Sequence, residues 1–168
     1  MKEIALDTST LILLAKIDLL ESLVNHANIV ISEIVREEAL RKPELLDAQI
    51  IFRFIKNGKI KVVKEKESLL GAAIQKDFFL GKGEASVLSL AKSKGILLGI
   101  DDQQGIKACK VLGVKFTTTL AFVVRFFEKK LLDKDQTMAK LEKLQKYGWY
   151  RTEVLEKIFR EIEGGYKQ

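Results

Sequence analysis

Residues 4–12, Ile4-Ala5-Leu6-Asp7-Thr8-Ser9-Thr10-Leu11-Ile12, decide the fold. Three apolar residues make a short buried strand, Asp7 stops it, and hydroxyl residues lead into a run read as a helix over about 9–24. The same alternation recurs along the chain. Residues 29–31 are a second strand, and Ser32 caps a helix reaching about residue 41. Pro43 starts another helix through residue 55, and Lys59-Ile60-Lys61-Val62-Val63 alternates as an edge strand does. A looser helical stretch surrounds residues 69–74. The Gly81-Lys82-Gly83 turn opens an amphipathic helix to Lys94, with Gly95 positioned to end it. Residues 96–100 form the next strand, about 102–112 a helix, and 114–117 the last strand. Helices near 120–130, 135–147 and 152–162 follow. Strands alternating with helices predict parallel βαβ units, hence an α/β fold of three layers around a central parallel sheet of about four to five strands.

With 168 residues, the chain is long enough for one well-packed domain and short for two, and it is read as a single domain over 1–168 with helices at about 120–163 packed on it. Its longest apolar run, Leu11-Ile12-Leu13-Leu14-Ala15, ends at Lys16 and Asp18, far short of a membrane span. The first strand begins near Glu3, leaving no room for a cleavable signal, and Cys109 is the only cysteine. Together these predict a soluble cytoplasmic protein with no membrane partner.

His26 is the only histidine, which excludes a two-histidine metal site and leaves zinc with too few soft ligands. It falls in the polar stretch Asn25-His26-Ala27-Asn28 and reads as a solvated turn residue. Catalysis is left to carboxylates, lysines and hydroxyls, and carboxylates suit hard ions such as Mg²⁺ and Mn²⁺. A net charge of +6 and a pI of about 9.3 point to an anionic partner. Part of that charge alternates with acids, as in Lys64-Glu65-Lys66-Glu67, and reads as a solvated face.

Ligands of open α/β sheets gather beyond the carboxyl ends of the strands. Asp7, the pair Asp101-Asp102 and the pair Thr118-Thr119 each directly follow a strand. Asp7, Asp102 and Thr118 also suit a simpler role, capping the helices they precede. Glu84 shares a helical face with Val87, Leu88 and Ala91, so this acid starts the stripe that should face the sheet; the alternative is a first-turn glutamate favoured by the helix dipole. Gly81 and Gly83 lack the Lys-Ser/Thr of a phosphate loop and read as a turn. Glu38 lies one turn after Ile34 and Val35 and borders the buried side of its helix, whereas Glu37 stacks over Glu33 toward Arg41 in solvent.

Asp7-Thr8-Ser9-Thr10-Leu11-Ile12 after a strand, Glu38 on the second helical segment, Gly83-Glu84-Ala85, Ile100-Asp101-Asp102, and Gly148-Trp149-Tyr150 before the last helix together resemble PIN domains, in particular the prokaryotic VapC-like toxins. The order and spacing of these short motifs carry the resemblance over nearly the whole chain. It implies a PIN-like fold in which Asp7, Glu38, Glu84 and Asp101 are the catalytic, metal-binding acids. It further implies that Asp102, at the family's following acidic position, also binds the metal, and that Thr119, matching its threonine, and Ser9, matching its first-loop hydroxyl, support the site. Three positions depart from the pattern: Thr10 replaces a proline, Thr118 a glycine, and Ile106 a residue that is commonly basic.

The activity so implied is hydrolysis of RNA phosphodiester bonds with Mg²⁺ or Mn²⁺, as a ribonuclease or the toxin of a toxin–antitoxin pair. Its expected partners are RNA, a small antitoxin protein and a second copy of the chain. Two other readings stay open. A phosphatase forming an aspartyl-phosphate on Asp7 would need a second Asp where Ser9 stands. A non-catalytic PIN-fold module binding RNA or protein fits Ile106 but leaves the acidic set without a purpose. The apolar seam Val154, Leu155, Ile158, Phe159 and Ile162 reads as intramolecular core.

Overall fold

Strands β1 (Glu3–Leu6), β2 (Asn28–Ser32), β3 (Ile60–Val63), β4 (Leu97–Gly99) and β5 (Phe116–Thr117) form one sheet in the order β3-β2-β1-β4-β5. Every pairing is parallel. These elements come from a computed structural model that describes residues 2–64 and 69–164. Glu65, Lys66 and Glu67 lie outside the described residues, while Lys64 is exposed, as a solvated face requires.

Helices α1 (Thr8–Lys16), α2 (Leu20–His26), α3 (Glu33–Ala39) and α4 (Leu46–Lys56) carry the chain out from β1 to β2 and β3. It then returns across the sheet through α5 (Leu69–Phe78) and α6 (Lys82–Lys94) to β4, and α7 (Gln103–Leu112) leads to β5. Helix α1 packs with α2 and α4, whereas α5, α6 and α7 pack with one another, giving helices on both faces of the sheet. The strands are correspondingly apolar on both sides: Ala5, Leu6, Ile29, Val30, Ile31 and Leu98 are all buried. Helices α8 (Thr119–Glu128), α9 (Lys134–Tyr147) and α10 (Thr152–Glu163) complete the chain. Leu155 and Ile162 are buried and Ile158 and Phe159 pack on the core, so the C-terminal seam is turned inward, with Val154 left exposed. No helix among the described residues is long and apolar enough to cross a membrane.

Several boundaries differ from the sequence expectation. The helix expected over 9–24 is two helices, because Asp18 adopts a left-handed backbone (φ 57°) and turns the chain. Lys140 of α9 donates to the carbonyl oxygens of Ile17 (3.2 Å) and Asp18 (2.9 Å), satisfying groups that a broken helix leaves open. Lys143 adds an ion pair to the Asp18 carboxylate. Helix α4 starts at Leu46 rather than Pro43, which lies in the preceding turn. Val114 is not strand: its N–H donates to the Cys109 carbonyl (2.9 Å) and closes α7 through the left-handed Gly113. His26 is the last residue of α2 rather than a turn residue; it remains exposed, with Nδ1 2.7 Å from the Ser22 carbonyl oxygen.

From β1 the chain first builds the sheet in one direction (β2, β3), and β4 then joins the other edge of β1. The helices after β1 and β4 therefore diverge to opposite faces and leave a crevice beyond the carboxyl ends of these two strands. Asp7 and Asp101 stand at those ends.

Candidate active site

Asp7 has no solvent exposure. It caps α1, accepting from the Thr10 N–H (2.7 Å) on Oδ1, while the Ser9 hydroxyl donates to Oδ2 (2.8 Å). Its own N–H reaches across to the Gly99 carbonyl of β4 (3.0 Å), tying it to the strand that delivers Asp101. Burial pushes the Asp7 carboxyl up to about 7, against the opposing pull of these hydrogen bonds and with a further upward push from the Asp101 charge.

Asp101 is held by four donors. The Thr119 N–H (3.0 Å) and the Tyr150 hydroxyl donate to Oδ1; the Thr119 hydroxyl (2.5 Å) and the Thr10 hydroxyl (3.0 Å) donate to Oδ2. A carboxylate offers about four lone-pair sites, so any direct ligand on Asp101 must displace one of these donors. Tyr150 in turn accepts from the Leu120 N–H (3.1 Å), and burial together with the Asp101 charge pushes its phenol well above its ordinary range.

Glu38 accepts from the Thr8 hydroxyl (2.5 Å) and lies against Gly83, where any side chain would collide with its carboxylate. Glu37, its neighbour, is exposed. The solvent pairing on this helix joins Arg36 to Glu33 (2.5 Å), not Glu37 to Arg41, because the helix ends at Ala39 before Arg41 can stack. Glu84 curls back to accept from the Gly81 N–H (3.0 Å), so it serves the start of its own helix, as the simpler reading expected. It also borders the crevice, where burial, and then the charges of Asp102 and Glu38, raise its pKa. Asp102 caps α7 through the Gly105 N–H (2.6 Å), and Thr118 caps α8 through the Ala121 N–H (3.2 Å).

The carboxylates thus form two interacting groups, Asp7 with Asp101 and Glu84 with Asp102 and Glu38. The ion pairs among the described residues involve Glu3, Asp18, Glu33, Glu128, Glu156 and Glu161, none of these five. No three His, Cys, Asp or Glu side chains among the described residues stand around one point as a metal cage would require. An all-oxygen set of unneutralised carboxylates nevertheless fits Mg²⁺ or Mn²⁺, since Mg²⁺ usually takes only one or two protein carboxylates and keeps several waters. The buried Asp7, without a basic partner, is where a cation would be most stabilising.

Three hydroxyls, those of Thr8, Thr10 and Tyr150, have roles that the sequence does not reveal. Glu38 lies 30 residues from Thr8, and Asp101 lies 91 residues from Thr10 and 49 from Tyr150, beyond the reach of any local pattern. Ile106 packs on the core, so no base stands at that position; the lysine on the crevice wall is Lys16. Cys109 is buried, and burial pushes its thiol up to about 11, which leaves it inert as a nucleophile. Beside the acids the crevice widens into a cavity of about 470 Å³, whose wall includes Ser9, Lys16, Glu84, Asp101, Tyr147 and Trp149.

No curated protein matches the chain. The crystal structure of PAE2754 from Pyrobaculum aerophilum is similar to it with a TM-score of 0.54 and 19% identity, over 74% of this chain and 96% of that one. At that identity the likeness concerns the fold, which agrees with the five-stranded parallel arrangement described above. The model of the PIN-domain family DUF3368 matches residues 3–164, from the first residue of β1 to just beyond α10. Since that match takes in every strand of the sheet and every acid at its carboxyl edge, the chain belongs to the PIN-domain family, a family of nucleases.

Proposed function

We propose that this chain is a divalent-metal-dependent ribonuclease hydrolysing RNA phosphodiester bonds at the carboxyl edge of β1 and β4. The observation that carries the reading is Asp7: a wholly buried carboxyl, raised to about 7, beside Asp101 and without a basic partner. Such a group is stable only with a proton or a cation next to it. Bound Mg²⁺ or Mn²⁺ would neutralise the acids, lower the pKa of a water and polarise the phosphoryl oxygens.

Asp7 and Asp101 would hold the ion, one of the four donors on Asp101 giving way to it, with Glu38 and Glu84 holding it or its waters. Ser9 fixes one Asp7 oxygen, and Thr10 joins the two aspartates by donating its N–H to Asp7 and its hydroxyl to Asp101. Thr119 and Tyr150 fix the remaining Asp101 geometry. Lys16, on the crevice wall, supplies positive charge toward the substrate phosphates. As the toxin of a toxin–antitoxin pair, the protein would be silenced by a partner that inserts a basic side chain among these unpaired acids.

The second reading, a non-catalytic PIN-fold module binding RNA or protein, is favoured by Ile106 and by the saturated hydrogen bonding of Asp101. Cleavage of a labelled single-stranded RNA by the purified protein separates the two. Chelation should abolish cleavage, Mn²⁺ or Mg²⁺ should restore it, and Ca²⁺, with its looser and larger shell, should restore little. Full activity in excess EDTA, free of contaminating nuclease, would sink the metal mechanism. No cleavage in Mn²⁺ would favour the non-catalytic module.

A further inference from the structure

Trp149 has its side chain completely in solvent, with a relative exposure of 102%. It sits in the connection between α9 and α10, flanked by Tyr147, which is 43% exposed, and Tyr150, whose hydroxyl reaches Asp101. All three rings line the cavity that opens from the acids. Large aromatic surface left in water is costly, and where it borders a cavity it marks a place for a ligand. Lys16 shares this wall, its ammonium group 5.8 Å from the centre of the Tyr147 ring, which Lys146 also approaches at 5.2 Å. The connection is held in position from both ends. Lys140 and Lys143 tie α9 to the end of α1, and Tyr150 ties the start of α10 to Asp101.

We propose that Trp149 and Tyr147, with Lys16, form a subsite that stacks an unpaired nucleobase of the strand whose phosphate lies at the acids. The proposal rests on the ribonuclease reading and adds what the strand must offer. An aromatic face takes any base by stacking, while neighbouring lysines take the backbone. At about 470 Å³ the cavity falls within the ~300–1,000 Å³ typical of sites that enclose small organic groups. An apolar protein surface fits less well, because covering the cavity would strip water from Glu84, Asp101 and Asp102 with no compensating charge. Bases in a duplex are stacked on each other and present no free face, so the subsite selects single strands, loops or ends.

Trp149 is the only tryptophan, so its emission reports this subsite alone. The test is a titration of the full chain in EDTA with a labelled eight-nucleotide single-stranded RNA and with its duplex, following label anisotropy and tryptophan emission together. The single strand should quench the emission with the same midpoint as the anisotropy change; the duplex should leave emission unchanged. Trp149→Ala should weaken single-strand binding roughly five- to hundredfold, the equivalent of ~1–3 kcal/mol at 1.4 kcal/mol per tenfold, while Trp149→Phe stays within about threefold of wild type. The side chain being exposed, neither substitution should lower the melting temperature. Binding of the single strand with unchanged emission, or with equal affinity in Trp149→Ala, would overturn the subsite and leave the ribonuclease reading standing. Absence of binding by either RNA, together with no cleavage in Mn²⁺, would overturn both. Emission that instead follows protein concentration without RNA, with Trp149→Ala turning a dimer into a monomer, would make this face a contact between copies and refute the proposal.

Discussion

Thr8, Ser9 and Thr10 are consecutive, yet their hydroxyls reach three different carboxylates: Glu38, Asp7 and Asp101. The first turn of α1 therefore organises acids from α3, β1 and the end of β4. Thr10 stands where relatives were expected to carry proline, which could supply neither its N–H to Asp7 nor its hydroxyl to Asp101. Thr10→Val keeps the shape and the N–H and removes one hydrogen bond; it should cost about 1 kcal/mol of stability or less and lower RNA cleavage roughly tenfold. Urea unfolding and cleavage rates of the same preparation check this, and unchanged cleavage would contradict the role given to Thr10. Asp7 itself makes stability depend on pH. Its folded-state value of about 7 lies above the ordinary 3.8, so between these values the folded chain keeps a proton that the unfolded chain has lost. Metal-free protein should accordingly lose stability as pH rises from about 4 to about 7 and level off beyond. Asn caps a helix as well as Asp, so Asp7→Asn should flatten that slope and be the more stable form at pH 8. An equal pH dependence in both proteins, measured by unfolding at pH 5 and 8, would refute the burial argument.

At the level of elements, direction on a helix separates neighbours of identical chemistry. Glu38 faces Thr8 and Gly83 while Glu37 is exposed, so Glu38→Gln should depress cleavage strongly and Glu37→Gln hardly at all. Gly83→Ala should mimic Glu38→Gln, since a methyl group there pushes the Glu38 carboxylate away although alanine is the better helix former by about 1 kcal/mol. Near-normal cleavage in Gly83→Ala with the fold intact would mean that Glu38 is not needed where it stands. The orientation of Glu38 was legible in the sequence because Val35, three residues earlier, is buried and helical spacing fixes the rest. The Gly95 cap, the Ser32 cap and the edge position of β3 were legible for equally local reasons. The break after Lys16 was not. Apolar periodicity runs on through Leu19, Leu20 and Leu23, and the turn is made by a left-handed Asp18 whose supports, Lys140 and Lys143, lie more than a hundred residues away. For the same reason the acids could be listed from strand ends, but not the hydroxyls that join them.

Across the whole molecule, the strand order β3-β2-β1-β4-β5 puts the reversal of chain direction between β1 and β4. That single topological fact brings Asp7 and Asp101 together, in a chain whose net charge of +6 attracts phosphates. RNA affinity should therefore fall as salt rises, because lysines such as Lys16 displace counterions from the backbone. Filter binding or anisotropy between 50 and 200 mM salt (roughly the range over which phosphate contacts are lost) measures it, and a flat response would remove nucleic acid as the partner. We propose that the carboxylates lack basic partners because they hold a divalent cation. Calorimetric titration of Mn²⁺ into the metal-free protein near pH 7, in two buffers of different ionisation enthalpy, tests this directly. The wild-type chain should bind Mn²⁺ and release protons, since Asp7 is raised to about 7 and must lose its proton to a cation. Asp7→Asn should bind at least tenfold more weakly without that release, and Glu37→Gln should match wild type. Absence of Mn²⁺ binding, or equal binding and proton release in Asp7→Asn, would mean that these acids do not hold a divalent cation.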